Sequence, residues 1–183
     1  MARKTTTPWK RRYQLPDRSV HESAGQFEEG CQLLWTAVRP GSGVLLPFLN
    51  VAAVTIELYL KSLSSSLNFV PQDAGGDIVY SAPDKHGHEP SKLLKAIEPA
   101  MRDQLEAAHS QWPGNEGKSL VDRCASYDRL FSGSRYVFEQ GQTVSGLRLE
   151  QLLDLIAFLK HFVDNLPPTE WIEWHEPATA PVK

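Results

Sequence analysis

The segment from Phe48 to Leu63 places apolar residues on nearly every side of a helix: Phe48, Val51, Val54, Ile56, Leu58, Leu60 and Leu63. Such a helix has no face to offer water, so it takes the centre of a fold and other elements must cover it. Pro47 suits the first turn, where its missing amide costs nothing. The wider apolar stretch, Val44 to Leu60, is broken by Pro47, Asn50, Thr55 and Glu57, so a buried helix is expected rather than a membrane span. The polar exceptions are informative. Asn50, Glu57 and Lys61 fall on one face, and Glu57 precedes Lys61 by four residues, the favourable order for an ion pair.

Covering helices are legible on both sides. Ser19-Val-His-Glu22 has the form of a capping box, and Val20, Ala24, Phe27, Cys31, Leu34, Trp35 and Val38 follow it at helical spacing before Pro40-Gly41. Pro90-Ser91 opens a third helix carrying Leu93, Leu94 and Ile97. Pro99 cannot sit inside that helix, so a kink or a new helix is expected there, carrying Met101, Leu105 and Ala108 to about His109. Ser119 and Asp122 cap a fourth. Gly146 to Leu166 forms the last, with Leu149, Leu152, Leu153, Ile156, Leu159, Val163 and Leu166 as its stripe and Pro167-Pro168 as its stop.

These signals predict an all-α bundle of four to five helices, with one long loop over 64–90 and flexible termini. Residues 1–18 read as a basic arm, 19–166 as a single helical domain and 167–183 as an acidic tail rich in Pro and Trp. Within 64–90, Ile78-Val79-Tyr80 has the composition of a short strand. At 183 residues, with 41% hydrophobic and 22% charged residues, the chain can bury a full core without disulfides or metal. Cys31 and Cys124 lie far apart at apolar helix positions, as packed free thiols of a reducing compartment do. The charged, threonine-rich start lacks an apolar signal core, and a cytoplasmic location is expected.

The net charge of −3 is unevenly spread: Arg3, Lys4, Lys10, Arg11, Arg12 and Arg18 cluster in the arm, leaving an acidic body. Such an arm suits a solvated tail, and also contact with RNA or an acidic partner. Trp9 and Tyr13 stand among the charges, and aromatic rings stack on unpaired bases.

Three pieces, in order, resemble the HEPN superfamily of small helical domains: Ile56-Glu-Leu-Tyr-Leu-Lys61 at the end of the buried helix, His86-Gly-His88 with Leu93-Leu94 beyond it, and Arg135-Tyr-Val-Phe-Glu139 before the last helix. The resemblance covers about residues 45–166. It implies a helical bundle, often a homodimer, acting as an RNA-cleaving toxin or defence effector, or as a non-catalytic partner or scaffold. Active members use an arginine and a histidine with four to six residues between them near the last helices, and neither Arg135 nor Arg148 is followed in that way, whereas Arg102 and His109 have six residues between them.

Arg102 and His109 supply the alternative pair. Seven residues make two helical turns, so both side chains share a face, roughly 10 Å apart along the axis. A histidine for proton transfer and an arginine for a phosphate oxygen would make a metal-independent endoribonuclease; the other reading is a solvated face beside Glu106. Glu57, Lys61, Arg135 and Glu139 form a candidate polar cluster, either an ion-pair network (Lys61 with Glu139, Glu57 with Arg135) or the lining of a ligand-binding cleft. His86 and His88 are too few for a metal site, and His88 is expected to help cap the helix that follows. No glycine-rich phosphate loop, His-Glu-x-x-His, Gly-x-Ser-x-Gly or CxxC pair is present, so no metal or cofactor is expected. The functions in view are a ribonuclease, a dimerisation or partner-docking module, and a small-ligand binder.

Overall fold

The computed structural model describes residues 9–71, 77–83, 86–135 and 147–175. In chain order the elements are β1 (Trp9–Leu15), α1 (Arg18–Trp35), α2 (Leu45–Ser62), β2 (Ser65–Pro71), β3 (Asp77–Pro83), α3 (Pro90–Ala96), α4 (Pro99–Ser110), α5 (Leu120–Ala125), α6 (Leu130–Arg135), α7 (Leu149–Asp164) and β4 (Thr169–His175).

The helical expectations hold in outline. α2 is the central helix, with Phe48, Leu49, Ala52, Ile56, Tyr59 and Leu60 wholly buried. It is long and apolar enough to cross a membrane by length and composition; here it packs against α1, α6 and α7. α7 closes the core with Leu152, Leu155, Ile156, Leu159 and Val163. Pro99 starts a fresh helix rather than a kink, and the Glu98 carboxylate accepts the Met101 amide there. Ser119 caps α5, its hydroxyl accepting from the Asp122 amide. Cys31 and Cys124 are buried free thiols, and burial pushes Cys31 up to about 12.

The all-α expectation is overturned. A four-stranded antiparallel sheet runs in the order β3-β2-β1-β4. The loop expected over 64–90 is largely the β2–β3 hairpin, and the termini expected to be flexible supply β1 and β4, paired from Trp9↔His175 to Leu15↔Thr169. The physical reason lies in β1: Tyr13 and Leu15 alternate into the core while Arg12 and Gln14 stay partly exposed. That is the period-two pattern of a half-buried strand, and pairing satisfies the backbone groups it would otherwise bury.

Asp17 joins sheet to helices. It replaces Ser19 as the N-cap of α1: Oδ1 accepts the Val20 amide at 3.1 Å, and Oδ2 accepts the Ser81 hydroxyl of β3 at 2.9 Å. Its own amide donates to the Ser62 carbonyl at 2.7 Å, at the end of α2. At 3% exposure, this residue fastens three elements to one another, α1 and β3 through its carboxylate and α2 through its amide.

Candidate functional site

Glu57 is the polar group that the apolar α2 has to satisfy, and both of its oxygens are taken. Oε1 accepts from Lys61 Nζ at 2.5 Å, across one helical turn. Oε2 meets His88 Nδ1 at 2.7 Å. The side chains grade from inside to outside, with 9% of Glu57, 14% of Lys61 and 53% of His88 exposed. A buried carboxylate thus fixes the ring of a histidine that reaches solvent. Phe131 of α6 holds the other dimension, stacking on the imidazole with centroids 4.0 Å apart and planes 14° from parallel. Nδ1 is engaged by Glu57, so Nε2 is the nitrogen left to serve whatever lies beside the ring.

Beside it lies an open cleft of about 740 Å³ between the Gly87–Glu89 turn and the Asp128–Ser132 segment. Arg129 is its exposed cation. Asp128 is committed to structure: its carboxylate accepts the Ser91 amide at 2.8 Å and hydroxyl at 2.6 Å, anchoring the start of α3. Glu89 pairs with Lys92 at 2.7 Å. The cleft therefore joins an oriented imidazole to a guanidinium, while its acids are occupied in holding the wall.

Glu57, Lys61 and His88 come together. His88 does not cap α3 as expected; its ring turns to Glu57, and Asp128 serves the helix start instead. His86 is exposed and lines a separate groove over the sheet. Arg135 ends α6, but its side chain and the whole of Glu139 lie outside the described residues, as do the pairings expected of them. Asn50 donates to the Ser134 hydroxyl at 3.3 Å, tying α2 to α6. Arg129 and Phe131 were not singled out from the sequence, since neither stands in a recognisable spacing with His88.

Arg102 and His109 occupy one continuous helix, α4, but meet different surroundings. Arg102 is half-buried and reaches the Lys95 carbonyl at 3.4 Å. His109 has no exposed surface; it packs edge-on against Phe158 at 4.9 Å, and its Nε2 lies 3.4 Å from Arg123. Arginine can only donate, so Nε2 accepts and the neutral ring carries its proton on Nδ1, which has no partner among the described residues. Burial, and then Arg123, hold this imidazole below the ordinary histidine range.

Arg123 is the centre of a buried clamp. It donates to the carbonyls of Gly114 and Gln151, each at 2.9 Å, and pairs with Asp154. Asp154 also accepts from Trp112 Nε1 at 3.0 Å. The 112–117 turn is thereby bound to α5 and α7. A Cβ at Gly114 would collide with the Asp154 carboxylate, so only glycine allows this approach. Glu106, expected on a solvated face, instead accepts the Leu120 and Val121 amides at the start of α5.

Among the described residues no group of three or more His, Cys, Asp or Glu side chains is arranged to hold a metal ion. No protein-family model matches the chain, and no characterised protein or solved structure matches it significantly.

Proposed function

We propose that the chain is a metal-independent ribonuclease whose base is His88, oriented by Glu57, with Arg129 receiving the phosphate. The observation that carries this reading is the Glu57–His88 contact of 2.7 Å at the edge of an open cleft that also holds a guanidinium. A carboxylate on Nδ1 fixes the tautomer and stabilises the imidazolium formed when Nε2 takes a proton. Arginine presents a planar fork of donors to phosphate oxygens and stays charged at every working pH.

In the proposed reaction Nε2 takes the proton of a ribose 2′-hydroxyl. The 2′-oxygen forms a bond to phosphorus, the bond to the 5′-oxygen breaks, and the proton held by His88 is passed to that departing oxygen. The products are a cyclic 2′,3′-phosphate and a free 5′-hydroxyl. Arg129 opposes the charge on the non-bridging oxygens, and Lys61, bonded to the other carboxylate oxygen, keeps Glu57 aimed. The resemblance of the Ile56–Lys61, His86–His88 and Arg135–Glu139 pieces to the HEPN superfamily supports RNA as the substrate, with the base at His88 rather than at His109.

The test is cleavage of a single-stranded RNA by wild type, His88→Ala, Glu57→Gln and Arg129→Ala, with the product ends identified. Cleavage to cyclic phosphate ends that His88→Ala abolishes supports the reading. No cleavage by wild type, or equal cleavage by His88→Ala, overturns it.

A further inference from the structure

The sheet carries a second concavity. It is a groove of about 470 Å³ whose lining includes Tyr13 of β1, Ser66 and Asn68 of β2, Tyr80 of β3 and His86. Side chains two apart on a strand share a face, and the register sets Asn68 beside Tyr80 and Ser66 beside Ala82. The groove therefore has an aromatic character and a polar edge. Tyr13 is buried and fixed, while Tyr80 is 48% exposed although it is a large ring.

One group here is left unsatisfied by the fold. The Ser66 hydroxyl is buried, in a residue only 1% exposed, and has no hydrogen-bond partner among the described residues. A buried hydroxyl without a partner is costly, and a ligand that offers a donor or acceptor removes the cost. A flat ligand with a polar edge satisfies both features: its face stacks on the exposed Tyr80 ring and its edge meets the Ser66 hydroxyl. Nucleobases have that shape and chemistry, and stacking of unpaired bases on sheet aromatics is a general mode of single-strand recognition.

The groove also adjoins the His88 cleft. His86 ends the one, and Gly87, His88 and Glu89 line the other. Gly87, with φ of 129°, turns the chain between them in a conformation other residues resist. Successive Cα atoms lie about 3.8 Å apart, so the two linings meet along the chain at His86-Gly87.

We infer that the groove of Tyr13, Ser66, Asn68 and Tyr80 binds an unpaired nucleobase of the RNA strand and so places the neighbouring phosphodiester at His88. The placement rests on the function proposed above; the groove's ligand class rests on its own side chains.

The experiment measures the anisotropy of a labelled single-stranded RNA octamer on the full chain, carrying His88→Ala to prevent cleavage, with and without Tyr80→Ala or Ser66→Ala. Tyr80 is half exposed, and Ser66→Ala removes an unpartnered buried hydroxyl, so both variants keep the fold, checked by circular dichroism and melting. Tyr80→Ala is expected to weaken binding by about tenfold or more, Ser66→Ala to weaken it without lowering Tm, and a duplex of the same sequence to compete poorly. Unchanged affinity in both variants, or equal competition by the duplex, overturns the groove even if wild type cleaves RNA and His88→Ala does not. Binding that depends on Tyr80 and Ser66, with no cleavage by wild type, upholds the groove and overturns the cleft's assigned chemistry.

Discussion

The Nδ1 atom of His88 lies 2.7 Å from Oε2 of Glu57, and the two residues come from elements that are neither adjacent in sequence nor of the same kind. The contact places an ionisable ring, half in water, on a carboxylate anchored in the apolar central helix α2. Burying a carboxylate is unfavourable unless it is paired and hydrogen-bonded, and Glu57 is satisfied through Lys61 and His88 together. The site and the stability of α2 are thus one problem.

Removing the carboxylate therefore exposes its partners. Glu57→Ala leaves Lys61 buried without a counter-charge and is expected to cost about 2–4 kcal/mol, a fall in Tm of roughly 5–15 °C for a chain of this size. Adding Lys61→Met to it should recover part of the loss, because an apolar side chain needs no partner. Thermal melts of the single and double variants measure this; a double variant that loses the full sum of the two single effects contradicts it.

The helices were readable because apolar periodicity, capping residues and prolines are local signals, and α2, α4, α5 and α7 carry all three kinds among them. The sheet was not. β1 and β4 come from opposite ends of the chain, so nothing near Trp9 announces Trp171 or Trp174, and Lys10, Arg11 and Arg12 obscure the alternation of Tyr13 and Leu15. β2 begins Ser65-Ser66, a composition shared with loops. At the site, Glu57, Lys61 and His88 stood out as polar residues needing an explanation. Their meeting depends on tertiary packing, as does the contribution of Phe131 and Arg129.

Asp17 offers a test of the sheet itself. Asp17→Ala removes the α1 cap and leaves the Ser81 hydroxyl and Val20 amide without their acceptor. A lost cap alone costs about 1 kcal/mol, up to about 2, and the interelement bond to Ser81 should bring the total above that range. Ser81→Ala should remove only the excess. Chemical denaturation of both variants checks this, and equal, small effects would mean that the tie between β3 and α1 contributes nothing.

The buried clamp predicts a pH dependence of stability. His109 is held below its ordinary value of 6.5 in the folded chain, so the unfolded chain binds the proton first as pH falls. Stability from this residue is complete above about pH 6.5 and is lost as pH drops from there toward the folded value. His109→Phe should flatten that part of the stability–pH curve while remaining folded against Phe158. Arg123→Ala, which removes the counter-charge of Asp154 and a donor to the Gly114 and Gln151 carbonyls, should cost about 3–5 kcal/mol at neutral pH. An unchanged slope in His109→Phe would show that other groups carry the pH dependence.

The most direct test of the central claim is the initial rate of single-stranded RNA cleavage by wild type, His88→Ala and Glu57→Gln, each confirmed folded. A positioned general base contributes about 10²–10⁴-fold. The account predicts a loss of at least about 100-fold in His88→Ala, and in Glu57→Gln a lowered kcat at unchanged KM. Wild-type cleavage that persists undiminished in His88→Ala would contradict it.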